Sequence, residues 1–135
     1  MYSTASLKQL CRVRDLMRGA YEEELTLDLL GSEADLSPWH FLRSFRAAFG
    51  ETPHDFLTRV RIERAKDLLT ITNRQVTEVC FDVGFTSLGS FSTLFRRHVG
   101  LSPAQFRRRV RTLVLVPGRH PWAFVPVCFW QRFSS

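Results

Sequence analysis

A 50-residue internal repeat constrains the fold more than any other feature of this sequence. When the chain is shifted by 50 positions, eight of the 25 residues from 35 to 59 align with identical residues. Roughly one or two identities would arise by chance at ordinary residue frequencies. The same shift aligns Asp28 with Glu78 and Leu29 with Val79. The identical pairs are Ser37 with Ser87, Phe41 with Phe91, Phe45 with Phe95, Arg46 with Arg96, Gly50 with Gly100, Pro53 with Pro103, Phe56 with Phe106 and Arg59 with Arg109.

Helix signals recur along the chain and predict seven helices, with no strand before residue 112. Apolar residues at steps of three and four predict helices over residues 7–21 and 27–34. Ser37 and Thr52 are suited to cap helices that begin at Pro38 and Pro53, and Gly50 is suited to end the first of these two. The helix that begins at Pro53 is expected to end near residue 69. The last three helices are predicted over 74–83, 87–100 and 102–110, and the expected core includes Leu7, Cys11, Phe41, Phe45, Phe49, Cys80, Phe91, Leu94 and Phe95.

The repeated positions are caps, helix stops and core aromatics, so the repeated unit is a pair of helices joined by a short turn. Such a unit, with a polar outer face on its second helix, is a helix-turn-helix. The sequence therefore predicts an all-α fold with two helix-turn-helix subdomains, over residues 1–52 and 71–111, joined by a long linker helix over 53–70. If the two second helices face the same way, they can enter successive major grooves about one helical turn of DNA apart.

The placement of charge favours a polyanionic partner. The net charge is +6, and 17 of the 19 basic residues are Arg, which binds phosphate in a bidentate way. Residues 84–111 carry six Arg and no acidic residue, whereas residues 1–35 sum to −3. A local positive field of this kind suits nucleic acid. A bias toward Arg in codon usage is the alternative explanation.

Other function classes find little support in the sequence. The four His have no partners at metal-ligand spacing, there is no Gly-rich phosphate loop, and no Ser-His-acid order stands out. We therefore expect no enzyme activity, cofactor or metal. The three Cys are odd in number and far apart, which indicates reduced thiols in a cytoplasmic protein. No secretory leader or membrane span is expected.

The motifs of both units resemble those of the AraC/XylS family of bacterial regulators. The first unit carries Leu36-Ser37-Pro38-x-x-Phe41-x-Arg43-x-Phe45-x-x-x-x-Gly50-x-x-Pro53, and Arg61-x-x-x-Ala65-x-x-Leu68-Leu69 resembles the family's linker helix. The second unit carries Val76-x-x-Val79-Cys80-x-x-Val83-Gly84-Phe85-x-Ser87-x-x-x-Phe91-x-x-x-Phe95-Arg96-Arg97-x-x-Gly100-x-Ser102-Pro103-x-x-Phe106-Arg107. Together these motifs place the resemblance over roughly residues 5–111.

The resemblance implies a homeodomain-like, seven-helix fold and control of transcription through asymmetric binding to promoter DNA. Activators are common in this family and often contact RNA polymerase. Three departures from the family's pattern stand out. The sequence begins close to its first predicted helix, so we expect a form like the short stand-alone members; Cys80 stands where relatives prefer Ala; and Thr93 stands where relatives often have Arg.

The candidate DNA-binding residues lie on the outer faces of the second helix of each unit. Arg43 can bridge two acceptors of guanine, and Trp39 offers an apolar edge to a thymine methyl group, although it could also be a partly buried core aromatic. In the second unit short side chains replace these two, so we expect it mainly to contact phosphates and sense DNA shape. The full set is Ser37, Trp39, His40, Arg43, Arg46, Ser87, Leu88, Gly89, Ser90, Ser92, Thr93, Arg96 and Arg97.

The C-terminal extension, residues 112–135, differs in composition from the rest of the chain. It is apolar and rich in aromatic residues, and its three Pro forbid a continuous helix. It is interpreted either as a strap packed across the helices or as a surface for docking or self-association. A second functional hypothesis follows from this extension and from the short side chains of the second unit. In that hypothesis the chain is a protein-interaction module that pairs with a larger regulator and modulates it.

Overall fold

The computed structural model describes residues 4–114, and within them the chain forms seven α-helices and no strand. Residues 112–114, the start of the C-terminal extension, continue α7 as a helix, which differs from the prediction. The rest of the extension, residues 115–135, lies outside the described residues, as do both interpretations of it. The all-helical, seven-helix prediction is confirmed. The helices are α1 (Thr4–Gly19), α2 (Leu27–Glu33), α3 (Pro38–Phe49), α4 (Pro53–Ile71), α5 (Val76–Asp82), α6 (Leu88–Val99) and α7 (Pro103–Val114).

Local capping chemistry starts α3, α4 and α6 and ends α3 and α6 where the sequence predicted, whereas α4 continues to Ile71, beyond the predicted end near residue 69. The Ser37 hydroxyl accepts from the His40 amide at 3.2 Å, and the Thr52 hydroxyl accepts from the Asp55 amide at 3.1 Å. Gly50 and Gly100 end α3 and α6 with φ values of 75° and 87°. This left-handed conformation carries a steric cost for residues with a Cβ, which explains why glycine recurs at both helix ends.

Each unit has its own aromatic core, and α4 contributes to both. In the first, Phe45 lies 5.6 Å from Phe41, 4.7 Å from Phe49 and 5.8 Å from Phe56 between ring centroids. In the second, Phe95 lies 5.7 Å from Phe91 and 5.6 Å from Phe106. The near-equality of these distances shows that the sequence repeat is a repeat of packing. The first core is completed by Leu10, Val13, Met17, Leu30, Ala34 and Leu57, and the second by Ile62, Ala65, Leu69, Val79, Cys80 and Val83.

Four residues expected in the core are less buried than predicted. Leu7 is exposed, and Cys11, Phe49 and Leu94 are half-buried, because each lies at the edge of the packed face of its helix. The prediction for Cys80 is confirmed, since it is fully buried.

The repeat changes register at the turn inside each unit. Four residues separate α2 from α3, but five separate α5 from α6. The structure therefore aligns α2 with α5 at a shift of 49 residues and pairs buried Leu30 with buried Val79. The predicted pairings of Leu29 with Val79 and of Asp28 with Glu78 are wrong for this reason, and Leu29 is 43% exposed.

The C-terminal end of α4 is joined to α7 by two arginines. Arg107 donates from Nε to the carbonyl oxygen of Leu69 at 3.2 Å and from Nη2 to that of Thr72 at 3.5 Å. Arg111 donates from Nη2 to Oδ1 of Asn73 at 2.6 Å. Cations near the last carbonyls of a helix are favourable, so these side chains fix α7 to the linker helix.

None of the helices in residues 4–114 is long and apolar enough to cross a membrane.

Candidate nucleic-acid interface

The outer face of α3 carries a stripe of large and cationic side chains. Trp39, Arg43 and Arg46 follow each other at steps of four and three, which places them within about 60° around the helix axis. All three are exposed, and Trp39 keeps 67% of its surface accessible. The alternative that Trp39 is a partly buried core aromatic is thereby excluded. His40 is also exposed but lies at one side of the stripe.

The equivalent stripe on α6 carries small side chains followed by an arginine. Gly89, Thr93 and Arg96 occupy the positions of the three α3 residues and are exposed. A Cβ added at Gly89 would meet only the Ser87 hydroxyl, at 3.8 Å, so the surface above this residue is open. Leu88, Ser90 and Arg97 are exposed as well, whereas Ser92 is half-buried. The two faces therefore share a backbone arrangement, but the side chains of α3 extend further from the helix than those of α6 at the first two positions.

The first turns of the two helices are built alike. Ser37 and Ser87 each use the side-chain oxygen as an N-cap acceptor, with the Ser87 oxygen 3.3 Å from the Ser90 amide. Each hydroxyl still has its own proton to donate. A serine in this place can thus cap its helix and donate to a phosphate oxygen at the same time. Both serines are exposed.

The basic cluster of residues 84–111 divides into two groups. Arg107 and Arg111 donate hydrogen bonds at the C-terminal end of α4. Burial lowers the pKa of Arg107, and the positive charge of Arg111 lowers it further. The other four, Arg96, Arg97, Arg108 and Arg109, are exposed. None of these four forms an ion pair with any residue in the part of the chain that the structure describes. Their charge is therefore available to an anionic partner.

The repeated pair Arg59 and Arg109 shows how the two units diverged in charge. Arg59 forms an ion pair with Glu51. The position equivalent to Glu51 in the second unit is Leu101, which leaves Arg109 without that carboxylate. The second unit is thus the more positive of the two. Sequence reasoning counted Arg108 and Arg109 in the basic cluster but did not place them among the candidate binding residues.

Three comparisons with known proteins agree with this arrangement. A helix-turn-helix domain family model matches residues 30–109. The MmsAB operon regulatory protein of Pseudomonas aeruginosa is 36% identical over 95 residues, which cover 70% of this chain and 31% of that protein. The crystal structure of the DNA-binding domain of AdpA, a global transcriptional factor in complex with a target DNA, superposes with a TM-score of 0.74 and 31% identity. This superposition covers 77% of this chain and 94% of that one.

A further structural neighbour is a probable AraC family transcriptional regulator from Rhodopseudomonas palustris, with a TM-score of 0.69 and 25% identity. It is covered over 95% of its length and matches 77% of this chain. The chain spans only 28% to 42% of the length of the curated relatives that it matches at 32–36% identity. The similarity therefore concerns the two helix-turn-helix units and the helix between them.

Proposed function

This chain belongs to the AraC-type helix-turn-helix family of DNA-binding transcription regulators, and we propose that it controls transcription by inserting α3 and α6 into adjacent major-groove segments of promoter DNA. The observation that carries this proposal is the presence of two helices capped in the same way, with exposed outer faces, on a body whose second unit holds four exposed arginines that form no ion pair within residues 4–114. In this proposal the chain works in the bacterial cytoplasm. Contact with RNA polymerase is part of the proposal only by likeness to the family.

The two helices have different tasks in this proposal. Arg43 donates to O6 and N7 of a guanine, and Trp39 contacts an apolar base edge, so α3 reads sequence. Gly89 and Thr93 are too short for bidentate recognition of a base. The second unit therefore supplies affinity through phosphate contacts of Ser87, Arg96 and Arg97 and responds to the shape of the DNA.

Selection of bound sites from random duplexes, followed by substitution of each base pair, tests this division. Substitutions in the segment that faces α3 should cost about 1–3 kcal/mol each, and those that face α6 much less. Equal costs in both segments would refute the division of tasks. Failure of the wild-type chain to bind any duplex in dilute buffer would refute DNA binding itself and favour the protein-interaction module.

A gain-of-function variant gives a sharper test of the same idea. Thr93 occupies on α6 the position that Arg43 occupies on α3, and both are exposed. Thr93→Arg should therefore create a new preference for guanine in the α6 segment, by about 1–3 kcal/mol, without changing the α3 segment. The matched control is Arg43→Thr, which should remove the preference from the α3 segment. If Thr93→Arg raised affinity equally on all sequences, the added Arg would be a phosphate contact and not a base reader.

A further inference from the structure

The two helix-turn-helix units meet at the segment between α1 and α2, residues 20–26. Tyr21 in this segment packs against the aromatic cores of both units. Beside it lies a cleft of about 560 Å³, bounded by the 20–26 segment, the first half of α4, the α5–α6 turn and one side of α6. Tyr21 supplies apolar packing at this junction, and the open space beside it leaves room for polar contacts to add to that packing.

Polar contacts from α4 bridge this junction. Arg61 donates from Nε to the carbonyl oxygen of Tyr21 at 2.6 Å and from Nη2 to that of Glu23 at 2.8 Å, and its guanidinium lies 5.9 Å from the ring centroid of Phe85. Arg64 donates to the Tyr21 hydroxyl at 3.3 Å. A single arginine thus contacts the first unit's connecting segment and the turn that precedes α6.

The α5–α6 turn is shaped to receive this contact. Gly84 has a φ of 96°, and a Cβ added there would lie 3.0 Å from Arg61 Nε and 3.0 Å from the backbone of Glu22. Glycine is therefore required both for the turn and for the close approach of the 20–26 segment. The extra residue that lengthens this turn relative to the first unit lies in the same place, between Val83 and Ser87.

We propose that Arg61 is a positioning residue that fixes the orientation of α6 relative to α3, through its two hydrogen bonds to residues 20–26 and its cation–π contact with Phe85. This inference rests on the proposed function. A fixed orientation holds the second unit over its phosphates as soon as the first unit has read its bases. A loosened junction lowers the effective concentration of the second unit at its segment and leaves the first unit's own contacts unchanged.

The test compares two duplexes made from a sequence that the wild-type chain selects. The short duplex carries only the groove segment that footprinting assigns to α3, and the long one continues for a further helical turn. The wild-type chain should bind the long duplex more tightly by at least about tenfold. Arg61→Met should reduce this ratio by about three- to tenfold while the affinity for the short duplex stays the same. A variant that is merely less stable would lose affinity for both duplexes in parallel.

Two variants control the experiment. Lys66→Met removes one positive charge from the same helix, at a side chain whose ion pair is with Glu63 on α4 itself, and should leave the ratio unchanged. Arg61→Lys keeps the charge but loses the planar guanidinium that forms two hydrogen bonds, so it should give an intermediate ratio. If Arg61→Met does not fold, Arg61→Lys is used in its place. A wild-type ratio in Arg61→Met, or parallel losses on both duplexes, would overturn the positioning role. If the wild-type chain binds neither duplex, the proposed function fails instead.

Discussion

Two arginines of the basic cluster, ten residues apart, should respond oppositely to the same substitution. Arg107→Met removes the hydrogen bonds to the carbonyl oxygens of Leu69 and Thr72, the second of which is long at 3.5 Å. A hydrogen bond from a charged group contributes about 1.5–3 kcal/mol when well formed, and exposure reduces this figure. Since Arg107 is half-buried, we expect a loss of about 1–2 kcal/mol in the free energy of unfolding. Arg97→Met should change that free energy by less than about 0.5 kcal/mol, because Arg97 is exposed.

DNA binding should show the reverse order. A lost phosphate contact lowers the slope of log affinity against log salt by about 0.9, which corresponds to roughly a threefold difference in affinity loss between 50 and 200 mM salt. Arg97→Met should lower the slope by this amount, whereas Arg107→Met should leave it unchanged. The measurements are urea unfolding followed by circular dichroism and titration of a labelled duplex at several salt concentrations. A stable Arg107→Met protein with a lowered slope would refute the assignment of Arg107 to the end of α4.

Further predictions concern the cores, the thiols and base reading. Phe45→Ala and Phe95→Ala should each cost about 3–5 kcal/mol in urea unfolding, because both rings are fully buried at equivalent positions, and a cost below about 1 kcal/mol at either would contradict the packing repeat. Burial raises the pKa of the Cys80 thiol. Cys80 should therefore resist iodoacetamide at pH 8 in the folded state, whereas half-buried Cys11 should react. Peptide mass spectrometry measures both, and equal labelling of the two thiols would contradict this prediction. The same raised pKa means that the unfolded thiol ionises above about pH 8.5 while the buried thiol stays neutral. The free energy of unfolding should therefore fall as the pH rises above that value. Arg43→Ala should weaken base preference by about 1–3 kcal/mol at the position it reads, measured by competition between duplexes, and a uniform loss on all sequences would indicate a phosphate contact instead.

The sequence predicted those parts of the fold that local chemistry determines. Ser37 starts α3 through a hydrogen bond from an amide three residues away, and Gly50 ends it through its own backbone angle. Both effects act within a few residues, so they can be recognised without tertiary information. The all-helical architecture followed from the same signals. The DNA-contacting roles assigned to α3 and α6 remain predictions, although the exposure of Trp39 and Arg43 is now established.

The remaining features depend on contacts between distant parts of the chain. Arg61 meets Tyr21 across 40 residues, and Arg107 meets Leu69 across 38. In the sequence, Arg107 is indistinguishable from Arg108, which points to solvent one position later. The change of register from 50 to 49 residues was hidden for a different reason. The apolar positions of two short helices align almost equally well at both shifts, and only the burial of Leu30 with Val79 decides between them.

Hydroxyl-radical footprinting of the wild-type chain on a selected duplex tests the central claim most directly. Two matched helix-turn-helix units that bind together should protect two backbone segments whose centres lie about one helical turn, roughly 10 base pairs, apart. Only one of the two segments should be sensitive to base substitution. Protection of a single segment, or the absence of any protection at low salt, would contradict the account.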